Sequence, residues 1–551
     1  SGTSYGSGSR CPNGVRSPPI SAPTISRPVE SSGPRATPNR AVGPRRIAAV
    51  SGTAGVPSAW PILRLLCAAF LLVSPTLEPG IAKPGATRAA VAGDGVGALL
   101  RSFYTGHGLW RDCPASRCWI HNGDWGSDSL TATLVLRWKE TGDLAVQHVL
   151  TELADSERTY PAPCRRGAGC HLWSDVPMWD AVIAAREYEV LPQSAESVRK
   201  AEAAFWAVEG STVYGVGACP TIRYQRPFGH GNHLKTLETD SNGIKAALLL
   251  FEATGERRYL TIARKRYRAV RRYFLDGRLP LYTVYVFDDG RSCRQAPGRY
   301  FASVNGNMVW NGLRLARLTG LSAYRTQALA TARAVVRDLA DPNGVFTDLQ
   351  AENDVVEPLV EAMLDATALA GGGFARHWLF VNADAASAAR RDDGTYGRFF
   401  DGPPPVSPVT AWQANGGVAV AIAAATLDPA GVVTAPSWRG AVFFERDIAQ
   451  LPATIEFEGR GIALSGTLGE RCCELGHARV LVDGLETTNR VGVWQNKSSS
   501  GRRFPDSILF AWRWPDAGRH RITFKPGAYD AKEGGSFLHL RGYFVLEGPS
   551  P

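Results

Sequence analysis

The chain lacks the signatures of several large enzyme classes. It has no phosphate-cradling P-loop, no dinucleotide fingerprint and no nucleophile-elbow serine on a strand-to-helix turn. Nucleotide-dependent transfer, hydride transfer and serine-hydrolase chemistry therefore lose their usual sequence support. No CxxC pair occurs, and His171, His230 and His233 have no ligand partners at helical spacing, so neither a metal centre nor a cofactor is expected. Long apolar runs are missing too. The strongest, "WPILRLLCAAFLLVSP" (60–75), contains Arg64 and is too short to span a bilayer. Small residues follow it, so it reads as a secretory signal peptide, with no stable membrane insertion after cleavage. Acidic residues are scarce at the start: residues 1–90 hold ten Lys/Arg against two Asp/Glu. Because the net charge of the whole chain is +10, the remaining 461 residues are close to neutral. That excludes the basic footprint of a nucleic-acid-binding domain.

What is there divides into four parts. Residues 1–59 form a basic leader rich in Ser, Pro, Gly and Arg, a disordered composition. Residues 60–90 are expected to be signal peptide and linker, 91–430 a helical catalytic domain, and 438–551 a β-sandwich. Export agrees with the cysteines. Beyond Cys11 and Cys67 of the leader, eight remain, suiting disulfides. Cys113/Cys118 and Cys164/Cys170 could staple loops, Cys219 and Cys293 could pair over a longer interval, and Cys472 and Cys473 are vicinal.

The middle of the chain repeats a pattern. "RWKETGDLAVQHV" (137–149), "LFEATGERRYLTIA" (250–263) and "LARLTGLSAYRTQA" (315–328) each end an apolar helix on Thr-Gly and begin another. Looser versions centre near 191, 371 and 428, the last without a return helix. Spacings of roughly 50 to 65 residues suit one helical hairpin each, and six hairpins predict a closed (α/α)6 toroid. If the turns share one end, the hairpin starts share the other: 121–129, 171–180, 237–243, 300–307, 348–358 and 409–417.

These starts carry the candidate chemistry. Trp125, Trp173, Trp179 and Trp412 could stack on sugar rings, while Asp240, Asn242, Asn305, Glu352 and Gln413 could bind hydroxyls. Trp119 and Asp354 belong to the same set. Glycosidic cleavage needs two acidic groups. Asp175 begins an inner helix between two tryptophans, and Asp128 holds the equivalent place one hairpin earlier. Either could also be a plain helix cap.

The stretches "SDVPMW", "ETDSNGIKAALLLFEATGERRYLTIA" and "YFASVNGNMVWNGLRLARLTGLSAYRTQA" resemble glycoside hydrolase family 76, endo-α-1,6-mannanases with an (α/α)6 barrel, over about residues 115–427. The resemblance implies that Asp175 is the first aspartate of the family's catalytic pair, with Trp179 four residues on. Val176 stands where the pair has its second, so another hairpin start must supply that carboxylate. A single helix-start acid also resembles the unsaturated glucuronyl hydrolases. Residues 438–551 change to short alternating runs, with Trp494, Trp512 and Trp514 as possible stacking residues. "FEGRGIALSGTLGERCCELGHARVLVDG" resembles galactose-binding-like sandwich modules. The expectation is thus a mainly α protein, an (α/α)6 toroid with a smaller all-β sandwich, monomeric and secreted. It would hydrolyse a polysaccharide or oligosaccharide with paired carboxylates. The alternatives are a uronyl hydrolase or lyase, and a non-catalytic glycan-binding surface protein.

Overall fold

A computed structural model describes residues 85–547 except 114–119, 124, 161–172, 192–193, 228–232, 297–298, 348–354, 407–409, 435–437, 470–476, 492–502 and 528–536. The leader, the signal-like segment, Trp119, His171, His230, Glu352, Asp354 and Trp494 lie outside the described residues, as do Cys118, Cys164, Cys170, Cys472 and Cys473. Among the described residues no helix is long and apolar enough to cross a membrane.

Helices run in pairs. They are α1 (Arg88–Phe103), α2 (Trp125–Thr141) with α3 (Leu144–Ser156), α4 (Asp175–Val190) with α5 (Ala195–Glu209), and α6 (Leu237–Thr254) with α7 (Arg257–Tyr273). Then follow α8 (Ala302–Thr319) with α9 (Ser322–Asp338), α10 (Glu357–Thr367) with α11 (Gly373–Ala388), and α12 (Ala411–Leu427). The even-numbered helices form an inner ring: α2 packs on α4, α4 on α6, α6 on α8, α8 on α10, α10 on α12, and α12 back on α2. Their sequences fit that position. Residues 411–425 of α12 are buried on every side, whereas the outer α7 buries one stripe, including Tyr259, Ala263, Tyr267 and Val270, and turns its arginine-rich face outward. The Thr-Gly turns close as the repeat requires: Gly255 and Gly320 cap α6 and α8 with φ of 71° and 72°, a conformation glycine adopts without steric cost.

The sixth hairpin lacks its own return helix among the described residues after α12, as the pattern near 428 implies, and α1 packs on α12 in that position. It begins at Arg88, inside the stretch expected to be linker. Three contacts tie it there. Thr87 bridges Val432, the Arg88 N–H donates to Gly431 O at 2.8 Å, and the buried Arg88 guanidinium pairs with Asp384 of α11. The ring therefore closes through both ends of the helical region, a relation no local pattern announces.

Short strands decorate the toroid: β1 (Trp110–Arg111) pairs with β2 (Ile120–His121), and β3 (Leu234–Thr236), β4 (Tyr285–Asp288) and β5 (Cys293–Gln295) form a small sheet. The expected disulfide between Cys219 and Cys293 is present and joins that sheet to the α5–α6 connection. Cys113 is also disulfide-bonded.

Beyond Trp438 come β6 (Val442–Gln450), β7 (Ala453–Gly469), β8 (His477–Val482), β9 (Leu485–Val491), β10 (Arg503–Gly527) and β11 (Phe537–Leu546). All pairings are antiparallel, in the order β6-β11-β7-β10-β8-β9. The long β7 and β10 break register between Arg513 and Gly518, so their two halves pair with different neighbours. Ile455, Leu464, Val480, Phe510, Trp512, Ile522 and Leu540 share one apolar core with Cys113 from the toroid's α1–α2 connection. Trp512 is core, and Trp514 stacks on His520 at 3.8 Å.

Candidate active site

The two ends of the toroid differ. At one end the connections are two residues long at 142–143, 255–256 and 320–321. At the other they run over 104–124, 157–174, 210–236, 274–301, 339–356 and 389–410. The inner helices begin at this loop-rich end, so their free N–H groups and first side chains converge on one mouth.

Three hairpin starts meet there. Trp125 of α2, Trp179 of α4 and Trp412 of α12 form one apolar cluster with Val355, which precedes α10. The Trp125 and Trp412 rings meet edge to face, centroids 5.1 Å apart. Deeper along the inner helices the axis is filled by charge. A narrow cleft runs from Trp179 to Lys139, lined by Arg186, Lys245, Glu357 and Glu361. Lys245 Nζ donates to Glu361 at 2.6 Å, and Arg186 pairs with the same carboxylate. Burial, the largest influence, lowers the Lys245 pKa to about 7.

Asp175 is the first residue of α4 and is buried, one turn before Trp179 on the same face. Its helix start is pinned from the next connection: Ser174 Oγ bonds Tyr224 O and Thr239 Oγ1, both at 2.7 Å. Trp173, 39% exposed, lies beside it with the Arg226 guanidinium 3.8 Å over its ring. Burial pulls the Arg226 pKa below its usual range while the charge of Asp175 pulls it back up, which places this cation within the field of Asp175. Val176, next in the chain, is half-buried.

Asp128 stands one turn after Trp125 on α2, also buried. It lines a separate narrow cavity with Arg158, Glu157, Lys200 and Asp180. Asp128 and Asp180 both hold the Arg158 pKa up against burial. Tyr160 donates to Asp180, and this contact together with burial drives the phenol pKa far upward. Asp180 lies five residues after Asp175, about 140° around the helix, and so faces this second cavity. Behind it Glu157 and the fully buried Glu187 influence each other; burial raises both, Glu157 to about 7 and Glu187 well above the usual range. Asp180, Arg158, Tyr160 and this carboxyl pair were missed in the sequence. The Trp-Asp pair at 179–180 was its one visible signal.

Three expected ligands do not reach the mouth. Asp240 is fully buried, accepts the Arg223 N–H at 3.0 Å and lies 3.7 Å from Arg266 Nε, an internal ion pair. The Asn242 amide bonds Glu238 O and Asn307, and Asn305 bonds both backbone groups of Tyr282. These amides join helices to each other and to loops, so their polar atoms are consumed inside the wall. Gln413 does lie at the mouth: its Oε1 accepts the Thr410 N–H at 3.4 Å.

No family model and no curated protein matches the sequence. Solved structures do match the fold. The GH76A α-1,6-mannanase from Salegentibacter sp. HEL1_6 is 17% identical, with a TM-score of 0.54 over 62% of this chain and 100% of that one. An inactive variant of it, with two neighbouring aspartates replaced by alanine and in complex with α-1,6-mannotetrose, matches at 18% identity over the same shares, with a TM-score of 0.54. A glycoside hydrolase family 76 α-mannanase from Bacteroides thetaiotaomicron is 15% identical, with a TM-score of 0.52 over 63% of this chain and 98% of that one. The helical part thus has the (α/α) fold of family 76, and the β-domain lies beyond it.

Proposed function

We propose that the protein is a glycoside hydrolase acting outside the cell on a microbial or cell-wall glycan, mannan-like or related. The observation that carries this reading is the convergence of Trp125, Trp179 and Trp412 beside the helix-start Asp175, on a fold shared with glycan-bound mannanases. Aromatic faces hold sugar rings and a helix-start carboxylate faces the bond to be broken. Because Val176 stands where the pair would have its second acid, we assign the second carboxylate to Asp128 on the adjacent inner helix.

Asp175→Asn and Asp128→Asn should each lower product release from a polysaccharide panel by about 10²–10⁴-fold while circular dichroism is unchanged. Full activity in both variants would sink the assignment. Arg226 over the exposed Trp173 favours a second reading, hydrolysis of unsaturated uronyl sugars, whose carboxylate this cation would meet. Loss of vinyl-ether absorbance on unsaturated disaccharides, without release from neutral mannans, would select it.

A further inference from the structure

The 210–236 connection carries a buried cation that the chemistry above does not use. Lys235 of β3 is fully buried, and its ammonium pairs with the equally buried Asp288 of β4 at 3.2 Å. The same ammonium donates to three carbonyls of one loop: Val216 O and Cys219 O at 2.7 Å, and Ile222 O at 3.0 Å. These partners account for every donor of the lysine, which is what a charge removed from water requires. Asp288 holds the same loop through its amides, accepting the N–H groups of Ala218 at 3.0 Å and Cys219 at 3.2 Å. Gly217 leaves room for the pair, since a Cβ there would lie 2.4 Å from Asp288 Oδ2.

The gathered loop ends against the start of α4. Lys235 Nζ lies 4.3 Å from the centroid of the Tyr224 ring, and the Tyr224 hydroxyl donates to Asp288 O at 3.2 Å. Tyr224 O accepts Ser174 Oγ–H at 2.7 Å, and Gln225 O accepts the Ser174 N–H at 2.9 Å. Ser174 is therefore docked by side chain and backbone alike, and Asp175 is the next residue. The rest of α4 packs on α2, α5 and α6, so loosening the loop frees the helix start rather than the helix.

We propose that Lys235 is a positioning residue for the reaction at Asp175. Its ammonium gathers the 216–224 loop, that loop fixes Ser174, and Ser174 sets where the Asp175 carboxylate points. Lys235 itself does not meet substrate. The proposal rests on the glycan-hydrolase reading.

The test takes the glycan that the parent cleaves best in a panel of neutral and uronyl-containing oligosaccharides. It compares kcat and KM for Lys235→Met, Ser174→Ala and the double variant, well below their melting temperatures. Each single substitution should lower kcat about 10–100-fold, because small misplacements of a reacting group are costly. KM should stay within about twofold, since Trp125 and Trp412 stand on α2 and α12. The double variant should lose no more than the worse single one, because both act through one line of contacts. If Lys235→Met melts within the assay range, Lys235→Arg takes its place, keeping a counter-charge for Asp288 while its larger head spreads the carbonyls. Unchanged kcat in the folded variants, a loss carried by KM instead, or single losses that multiply in the double variant would overturn the positioning role alone. A parent that releases product from no glycan would overturn the hydrolase reading with it.

Discussion

At the scale of residues, burial decides what each polar group can do. Asp175 and Asp240 both lie near the start of an inner helix, yet Asp240 is committed to Arg223 and Arg266 while Asp175 adjoins the exposed Trp173. Trp412→Ala removes one ring of the mouth cluster and should weaken glycan binding by roughly 1–2 kcal/mol, about tenfold, in calorimetric titration. The Glu157–Glu187 pair sets a pH dependence. Both carboxyls keep protons in the folded state at pH values where the unfolded chain has released them. Stability should therefore fall as pH rises above about 4.5, less steeply once Glu157 ionises near 7, and go on falling until Glu187 ionises as well. Glu187→Gln removes one partner. Its advantage over the parent in thermal denaturation should grow across that window, by about 1–3 kcal/mol in total. Parallel pH profiles for the two proteins would contradict this.

At the scale of elements, inner helices approach each other through small residues. A Cβ at Gly306 of α8 would lie 2.3 Å from the Leu359 nitrogen of α10, a backbone atom that cannot swing aside. Gly306→Ala should cost about 1–3 kcal/mol or more by overpacking. At Gly277 a Cβ meets nothing within 4 Å, so Gly277→Ala should leave the melting temperature nearly unchanged. The mouth-side connections gain rigidity differently. The Cys219–Cys293 bond closes a sequence separation of 74 residues and ties the α5–α6 connection to β5. Reducing it should lower stability by about 4 kcal/mol in the chain-entropy account, read as a drop in melting temperature with reductant. An unchanged melt in reductant, with the thiols shown to be free, would mean the loop is already held by packing.

At the scale of the whole molecule, Asp401 is the joint. It lies on the α11–α12 connection and receives both the Trp438 indole and the Arg513 guanidinium, all of them buried. Asp401→Ala leaves a buried arginine without its counter-charge and should cost about 3–5 kcal/mol. It should also expose the strand region to protease before the helical region. Simultaneous digestion of both regions at the parental rate would argue against a shared joint.

The sequence by itself determined the helical hairpins, because periodicity and left-handed glycine caps are local. Thr-Gly at 141–142, 254–255 and 319–320 marks turns wherever the chain goes next. It also showed the change to strands after Trp438, and it put Asp175 and Trp179 on one helix face because i and i+4 always share one. Tertiary structure decided the rest. That α1 completes the sixth hairpin depends on Arg88 meeting Asp384, nearly 300 residues away in the chain. Whether Asp240, Asn242 and Asn305 face the mouth or the wall depends on which neighbouring helix offers them partners, and that neighbour is fixed only when the ring closes. The carboxylates around Arg158 come from three separate elements, and Lys235 finds Asp288 only once β3 and β4 pair. Burial and long-range pairing act only on the assembled chain, so local patterning could name the candidates but not choose among them.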